Sequence, residues 1–380
     1  MNELERMRRQ MDQELRKPGE RPDPTISITR RTFLHRSLLA GGALATGAYG
    51  WFPLINTIEM AYAAEPKFRF AWISDTHLYP REVNTRFVEK TVRAIKDVQV
   101  MNPPADFLIF GGDLAQLADP VELRLGAELL KELKIKQYYI PGEHDWYLDL
   151  GKLWNDMFGK SPWSFDHKGV RFVGLNSVGQ APDYWTARKM SPKERMGHMA
   201  TLDGSVAGAW AGLGKEQLAW LDKTLSGWGK NQPIVLFSHN PLYEYYPPWN
   251  FWIRDWRELH EIIKPYTNVT NIHGHTHQVL YNEIGKMRSI GMLATSWPWP
   301  YAPEGVPALT RAMVRADPGN HFDGVGWSRL AADAGGAIAN EYVMWRKSGD
   351  IIASAAVDSG AGDNGNQILS PRIADRIWPY

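Results

Sequence analysis

Asp75 and His77 sit two residues apart in SDTH, and His275 and His277 repeat that spacing in GHTH. At the end of an extended strand, an i, i+2 pair points to one side of the backbone. Three further groups share the setting. Asp113 follows a Gly-Gly pair, Glu143 stands in GEHD, and His239 follows PIVLFS. The seven residues Asp75, His77, Asp113, Glu143, His239, His275 and His277 offer only nitrogen and oxygen donors. Iron, manganese and zinc suit such a set. It is the complement for two ions sharing one carboxylate. Such a pair can lower the pKa of a water and clamp both oxygens of an in-line displacement. The expected cofactors are two metal ions, Fe, Mn or Zn, with the pair left open.

These groups need elements that converge. Short apolar runs end abruptly in polar clusters: FRFAWISDTH, ADFLIFGGD, KQYYIPGEHD, VRFVGLNS, PIVLFSHN and TNVTNIHGHTH. Their length and content predict buried strands. Apolar spacings of three and four predict helices over 86–101, 120–134 and 215–228. The alternation is α/β. Ligands bind such sheets beyond the strands' carboxyl ends. Five of the six runs end in Asp, His or Glu clusters, so those ends are expected to meet at one point. Segments 178–213 and 243–256 read as insertions, and GWSRLAAD and NEYVMWRK as late strands.

The 380 residues include no cysteine, which excludes disulfides, thiolate catalysis and zinc–thiolate sites. The formal net charge is +1, so no global field favours a nucleic acid polymer, and an anion must be held locally. Seventeen tryptophans suggest large aromatic surfaces in the core or around a pocket.

The chain opens with a charged, polar stretch and then reads TRRTFLHR, followed by a Gly/Ala-rich run. Arg30 and Arg31 beside Phe-Leu resemble a twin-arginine export signal. Ala61-Tyr62-Ala63 offers small residues where a signal peptidase cuts. The expected domains are an extension and signal over 1–64 and one catalytic domain over 65–380. The expected location is the periplasm or beyond, with the export machinery as a partner. The alternative is a membrane anchor formed by the uncleaved segment.

In order and spacing, SDTH (74–77), GGD (111–113), GEHD (142–145), SH (238–239) and GHTH (274–277) resemble the five blocks of the calcineurin-like metallophosphoesterase superfamily. The resemblance covers roughly residues 67 to 295. It implies a four-layer α/β/β/α sandwich with a dinuclear site at the strand ends. Asp75, His77, Asp113 and His277 would hold one ion. Asp113, residue 143, His239 and His275 would hold the other. His144 would touch the phosphoryl group and protonate the leaving oxygen, with Asp145 orienting its imidazole. The implied activity is hydrolysis of phosphomono- or phosphodiesters by metal-bound hydroxide. The rival expectation is a metal-binding or interaction protein on the same fold with weak or no hydrolysis.

Two positions depart from the family. Gln116 stands where purple acid phosphatases have a tyrosine ligand, which argues against that branch. Glu143 stands where the family has Asn. Two divalent ions are then balanced by Asp75, Asp113, Glu143 and a bridging hydroxide, whereas Asn would leave one positive charge. Glu143 therefore suggests an Fe(III)–M(II) pair or a less charged substrate such as a phosphodiester. It can also act without ligating, by binding a metal-bound water.

The aromatic run 242–256 follows His239 and reads either as a lid touching substrate, through Tyr243, Tyr246 and Trp249, or as a packed flap. SWPWPY (296–301) is a second candidate rim. His273 matches no family ligand and reads as structural. His35, His167, His198, His260 and His321 default to surface or packing roles. Arg188 and Lys189 read as a solvated loop.

Overall fold

Phe68, Phe70 and Trp72 alternate with Ala71 and Ile73 along the strand Phe68–Ile73 (β1), and both faces are buried. A strand's period of two sends these sets to opposite sides. In this computed structural model, Phe68 and Phe70 meet Phe172 at ring-centroid distances of 5.7 and 5.8 Å, and Trp72 meets Phe237 at 6.0 Å. The other face packs under helices. Ala71 and Ile73 share a buried cluster with Val88, Ala94 and Ile95. One strand thus contacts a second sheet on one side and a helix layer on the other.

The structure describes residues 67–180, 188–195, 211–244, 251–277, 280–297, 325–333 and 335–345, with the backbone of short strands at 353–354, 367–368 and 377–379. Residues 1–66, which carry Arg30, Arg31 and His35, lie outside the described residues. So do His198, Tyr246, Trp249, His321 and the rest of SWPWPY beyond Trp297. Among the described residues no helix is long and apolar enough to cross a membrane.

The first sheet holds β1, Phe107–Phe110 (β2) and Lys136–Tyr139 (β3) as parallel neighbours. Gly326–Ala332 (β10) pairs antiparallel with the other edge of β1, followed outward by Ile338–Met344 (β11) and Ile377–Pro379 (β14). The second sheet runs Trp163–His167 (β4), Val170–Gly174 (β5), Ile234–Ser238 (β6), Val269–His273 (β7), Met287–Gly291 (β9) and Leu280–Ile284 (β8). Its inner four are parallel: β5, β6, β7 and β9. Ala353–Ser354 (β12) and Gln367–Ile368 (β13) form a separate pair.

Aromatic side chains join the sheets. Phe107 lies 5.3 Å from both Phe165 and Phe172, and Tyr138 stacks on Phe165 at 4.0 Å. Each such pair contributes about 0.5–1.5 kcal/mol beyond its buried area. Much of the aromatic content expected in a core or pocket lies in this interface.

The helices begin at clear caps. Asn84 accepts from the amide of Phe87 at the start of Thr85–Gln99 (α1). Asp119 accepts from Val121 ahead of Pro120–Leu130 (α2), with Pro at its first turn. Glu143–Trp146 (α3) is a single turn after β3, and Lys152–Phe158 (α4) follows it. Gly214–Leu225 (α5) and Trp256–Ile263 (α6) add buried Leu218, Leu221, Leu225, Leu259 and Ile263 to the helix-side core. The carboxylate of Asp255 accepts from the amides of Leu213 and Gly214, tying the start of α6 to the start of α5. The result is the expected four-layer α/β/β/α sandwich.

Candidate metal centre

Every parallel strand that ends in a donor ends toward one cleft. β1 delivers Asp75 and His77, β2 delivers Asp113, and the turn after β3 delivers Glu143 and His144. From the other sheet β6 delivers His239, and β7 delivers His275 and His277. All are buried, at 9% exposure or less. Asp75, His77, Asp113, His275 and His277 have φ between 44° and 64°. Non-glycine residues avoid this left-handed region, and holding them there costs on the order of 1–3 kcal/mol each. Such strain gathers where side chains must be aimed.

The donor atoms form two main sets, with a third, overlapping group of His77, Asp113 and His144. Asp113, Glu143, His239 and His275 present ligand atoms within 4.8 Å of one another, and so do Asp75, His77 and His277. Asp113 stands between them. Its Oδ2 is 3.2 Å from Nε2 of His239 and 3.7 Å from Nε2 of His77. In the second set, Nε2 of His277 lies 3.1 Å from Asp75 Oδ1 and 3.3 Å from Nε2 of His77.

Glu143 enters the first set. Oε1 is 2.9 Å from Nδ1 of His275, and Oε2 is 3.1 Å from Nε2 of His239. Oε2 and His239 Nε2 are both buried, and neither is aligned for a hydrogen bond. That fits atoms facing a common cation better than atoms facing each other. The residues present fit a metal pair.

Outer contacts set the tautomers. Nδ1 of His77 donates to Oε1 of Gln116 at 2.9 Å, and Nδ1 of His239 donates to the carbonyl of Gly111 at 2.8 Å. Each leaves Nε2 toward the centre. Gly112 has φ +100°, and a Cβ there would come within 2.5 Å of the His239 ring. Gly142 is as constrained, since a Cβ would fall 2.0 Å from Asp113 Oδ1. Glycine lets the loops close around the Asp113 carboxylate.

The charges compensate as a set. Burial raises the Glu143 carboxyl, but His275 and His239 outweigh it and hold it well below the usual range. Burial opposes charge on His239, while Asp113 and Glu143 raise it well above an ordinary imidazole. His77 is held well below its ordinary value, first by burial and then by the neighbouring imidazoles.

Asp145 requires a correction. Its carboxylate does not orient His144. Oδ1 accepts from the amide of Ala115 at 2.9 Å, and Oδ2 accepts from the amide of Gly142 at 3.0 Å. Sitting at the third position of α3, it folds back to cap that turn. Burial, helped by Asp113, pushes it up to about 8. Nδ1 of His144 donates instead to the carbonyl of Gln116 at 2.6 Å.

The donors border a cleft of about 310 Å³, open solvent included. It is lined by His77, Asp113, Glu143, His144, His275, His277, Phe251 and Trp297. Tyr243 is buried, and its hydroxyl donates to Asn282, so it packs rather than lines. Sequence reasoning passed over Phe251 in the aromatic run. Its position twelve residues beyond His239 was the only signal. His273 is fully buried with Nδ1 on the carbonyl of Gly274.

The calcineurin-like phosphoesterase family model matches residues 68–279. The chain belongs to that family and is a metal-dependent phosphoester hydrolase. It is 26% identical over 239 residues to the 3',5'-cyclic adenosine monophosphate phosphodiesterase CpdA of Haemophilus influenzae, covering 58% of this chain and 74% of that protein. It is 27% identical over 174 residues to a probable glycerophosphodiester phosphodiesterase GpdQ of Arcobacter nitrofigilis, covering 44% of this chain and 55% of that one. Among solved structures, a dimetal phosphatase from Danio rerio shares the fold. Its TM-score is 0.50 and its identity 14%, over 73% of this chain and 96% of that one.

Proposed function

We propose that the chain is a dinuclear phosphodiesterase, exported before it acts. The observation that carries the dinuclear reading is Asp113, whose Oδ2 faces His239 of one donor set and His77 of the other. Asp75, His77, Asp113 and His277 would hold one ion, and Asp113, Glu143, His239 and His275 the other. When bound, two such ions supply Lewis acidity and an activated water.

The chain's own residues do the rest. His144 is fixed through Nδ1 by Gln116, so proton delivery to a leaving oxygen falls to Nε2. Asp145 holds the Gly142 turn and the Ala115 amide in place, which keeps His144 and Asp113 in register. The amide of His144 donates to Asp113 Oδ1 at 3.0 Å.

Diesters are favoured by charge. Two carboxylates line the cleft, and among the described residues no lysine or arginine does. Glu143 adds a negative charge where Asn would be neutral. A monoanionic diester meets less repulsion there than a dianionic monoester.

Export rests on Arg30 and Arg31 in their sequence setting. N-terminal sequencing of the mature protein tests it, and an intact 37–58 segment in the membrane fraction would argue for an anchor instead. The enzymatic reading is tested by turnover of bis-p-nitrophenyl phosphate and p-nitrophenyl phosphate after loading with iron, manganese or zinc. Diesterase turnover should exceed monoesterase turnover. Metal-independent turnover, or none on either ester, defeats the reading.

A further inference from the structure

Trp297 is the large apolar side chain of the cleft that keeps an open face, at 36% exposure against 1% for Phe251. Its indole stands over one side of the donor cluster. Its ring centroid is 4.7 Å from that of His77 at an interplanar angle of 77°, 6.4 Å from His277 and 6.5 Å from His144. Phe251 also lines the cleft, with its ring centroid 4.8 Å from that of His275.

The backbone leading to Trp297 is tied down on two elements. Thr295 donates its amide to the carbonyl of Ser74 at 2.9 Å, and Ser296 donates to that of Asp75 at 3.2 Å. The buried ammonium of Lys90 on α1 donates to the carbonyl of Ser296 at 2.7 Å, and the Ser296 hydroxyl donates to the carbonyl of Phe87. The residue before the indole is thus fixed both to the loop carrying Asp75 and to the first helix. A side chain on a fixed stem loses little entropy when it binds.

The lining chemistry narrows what binds there. Apart from imidazoles and carboxylates, every described lining residue is aromatic. A polyol substituent would find no hydroxyl or amide side chain among them. A flat ring would find a π face.

We propose that Trp297 is a specificity-determining residue, a platform on which the flat apolar or heteroaromatic substituent of a phosphodiester stacks while its phosphoryl group sits among the donors. This rests on the phosphodiesterase reading above.

The probes are phenylphosphonate and methylphosphonate, titrated calorimetrically into the metal-loaded protein, beside steady-state kinetics on bis-p-nitrophenyl phosphate. Wild type should bind the phenyl compound roughly tenfold more tightly than the methyl one, the usual scale for stacking on an aromatic side chain. Trp297→Ala should abolish most of that preference and raise KM for the aryl diester by a similar factor, with a smaller change in kcat. Trp297→Phe should restore the preference and Trp297→Leu should not. That pair carries the test if the alanine variant folds poorly. Turnover without any ring preference in wild type, or the same preference in Trp297→Leu, overturns the platform and leaves the phosphodiesterase reading standing. Absence of turnover on any phosphoester by the metal-loaded chain overturns both.

Discussion

Glu143 reaches His275, with Oε1 2.9 Å from Nδ1 of the imidazole. The longer side chain is accommodated without leaving the donor cluster. Its second oxygen faces His239 at 3.1 Å, so the glutamate spans both histidines of one set.

Glu143→Asn should therefore change metal content and selectivity together. Metal held by the His239–His275 set should weaken, and the monoester-to-diester ratio should rise by about tenfold or more. One unit charge a few ångströms from the phosphoryl position in a partly buried site exceeds 1.4 kcal/mol. Elemental analysis and paired assays on the two nitrophenyl esters read this out. If neither quantity moves, charge at 143 is irrelevant.

Gln116→Ala removes the Nδ1 partner of His77 and leaves the backbone carbonyl that holds His144. Metal affinity should fall by about 10–100-fold, the usual cost of losing such a support. Competition titration against a chelator measures it. Wild-type affinity in this variant would show that His77 needs no orienting partner.

Gly142→Ala places a methyl 2.0 Å from Asp113 Oδ1 and 2.6 Å from the Asp113 amide. The fold should persist, because the strain is local, while metal binding and turnover fall together. Circular dichroism and metal analysis separate the two effects. Unfolding, or full metal content, would each contradict this.

The sequence exposed the strands with continuous apolar character. β1, β2, β3, β5, β6 and β7 lie within the six apolar runs, and donors follow all of them but β5. β9 escaped because Met287–Gly291 carries Arg288 and Ser289. Its polarity is buried pairwise, with Ser289 donating to Asn271 of β7 at 3.1 Å. The apolar spacing runs past the helix ends: the helix expected over 86–101 stops at Gln99 and that over 120–134 at Leu130. The division into two facing sheets came from the family resemblance, since strand pairing between distant segments leaves no periodicity. Adjacency of Asp145 to His144 along the chain says nothing about direction, and a single helical turn sends its carboxylate back to Gly142.

Lys90 offers a pH test away from the donors. It is 3% exposed, and burial, with Arg86 nearby, lowers it from 10.5 to about 8. A lysine depressed on folding is charged in both states below about pH 8. Between about 8 and 10.5 the unfolded chain binds more protons, so stability attributable to this residue rises with pH. The stability of wild type relative to Lys90→Met should improve across that window, by at most about 3 kcal/mol. Denaturant titrations of both proteins at pH 7.5 and 10 measure the double difference. A constant difference would place the ammonium in a more solvated setting.

The donors are divided between two layers. Asp75, His77, Asp113 and Glu143 hang from the first sheet, and His239, His275 and His277 from the second. Neither layer alone can complete either set. A chain that has folded its first half but not stacked the second has nothing finished to offer a cation. A bound metal would therefore report that the two layers have met in register.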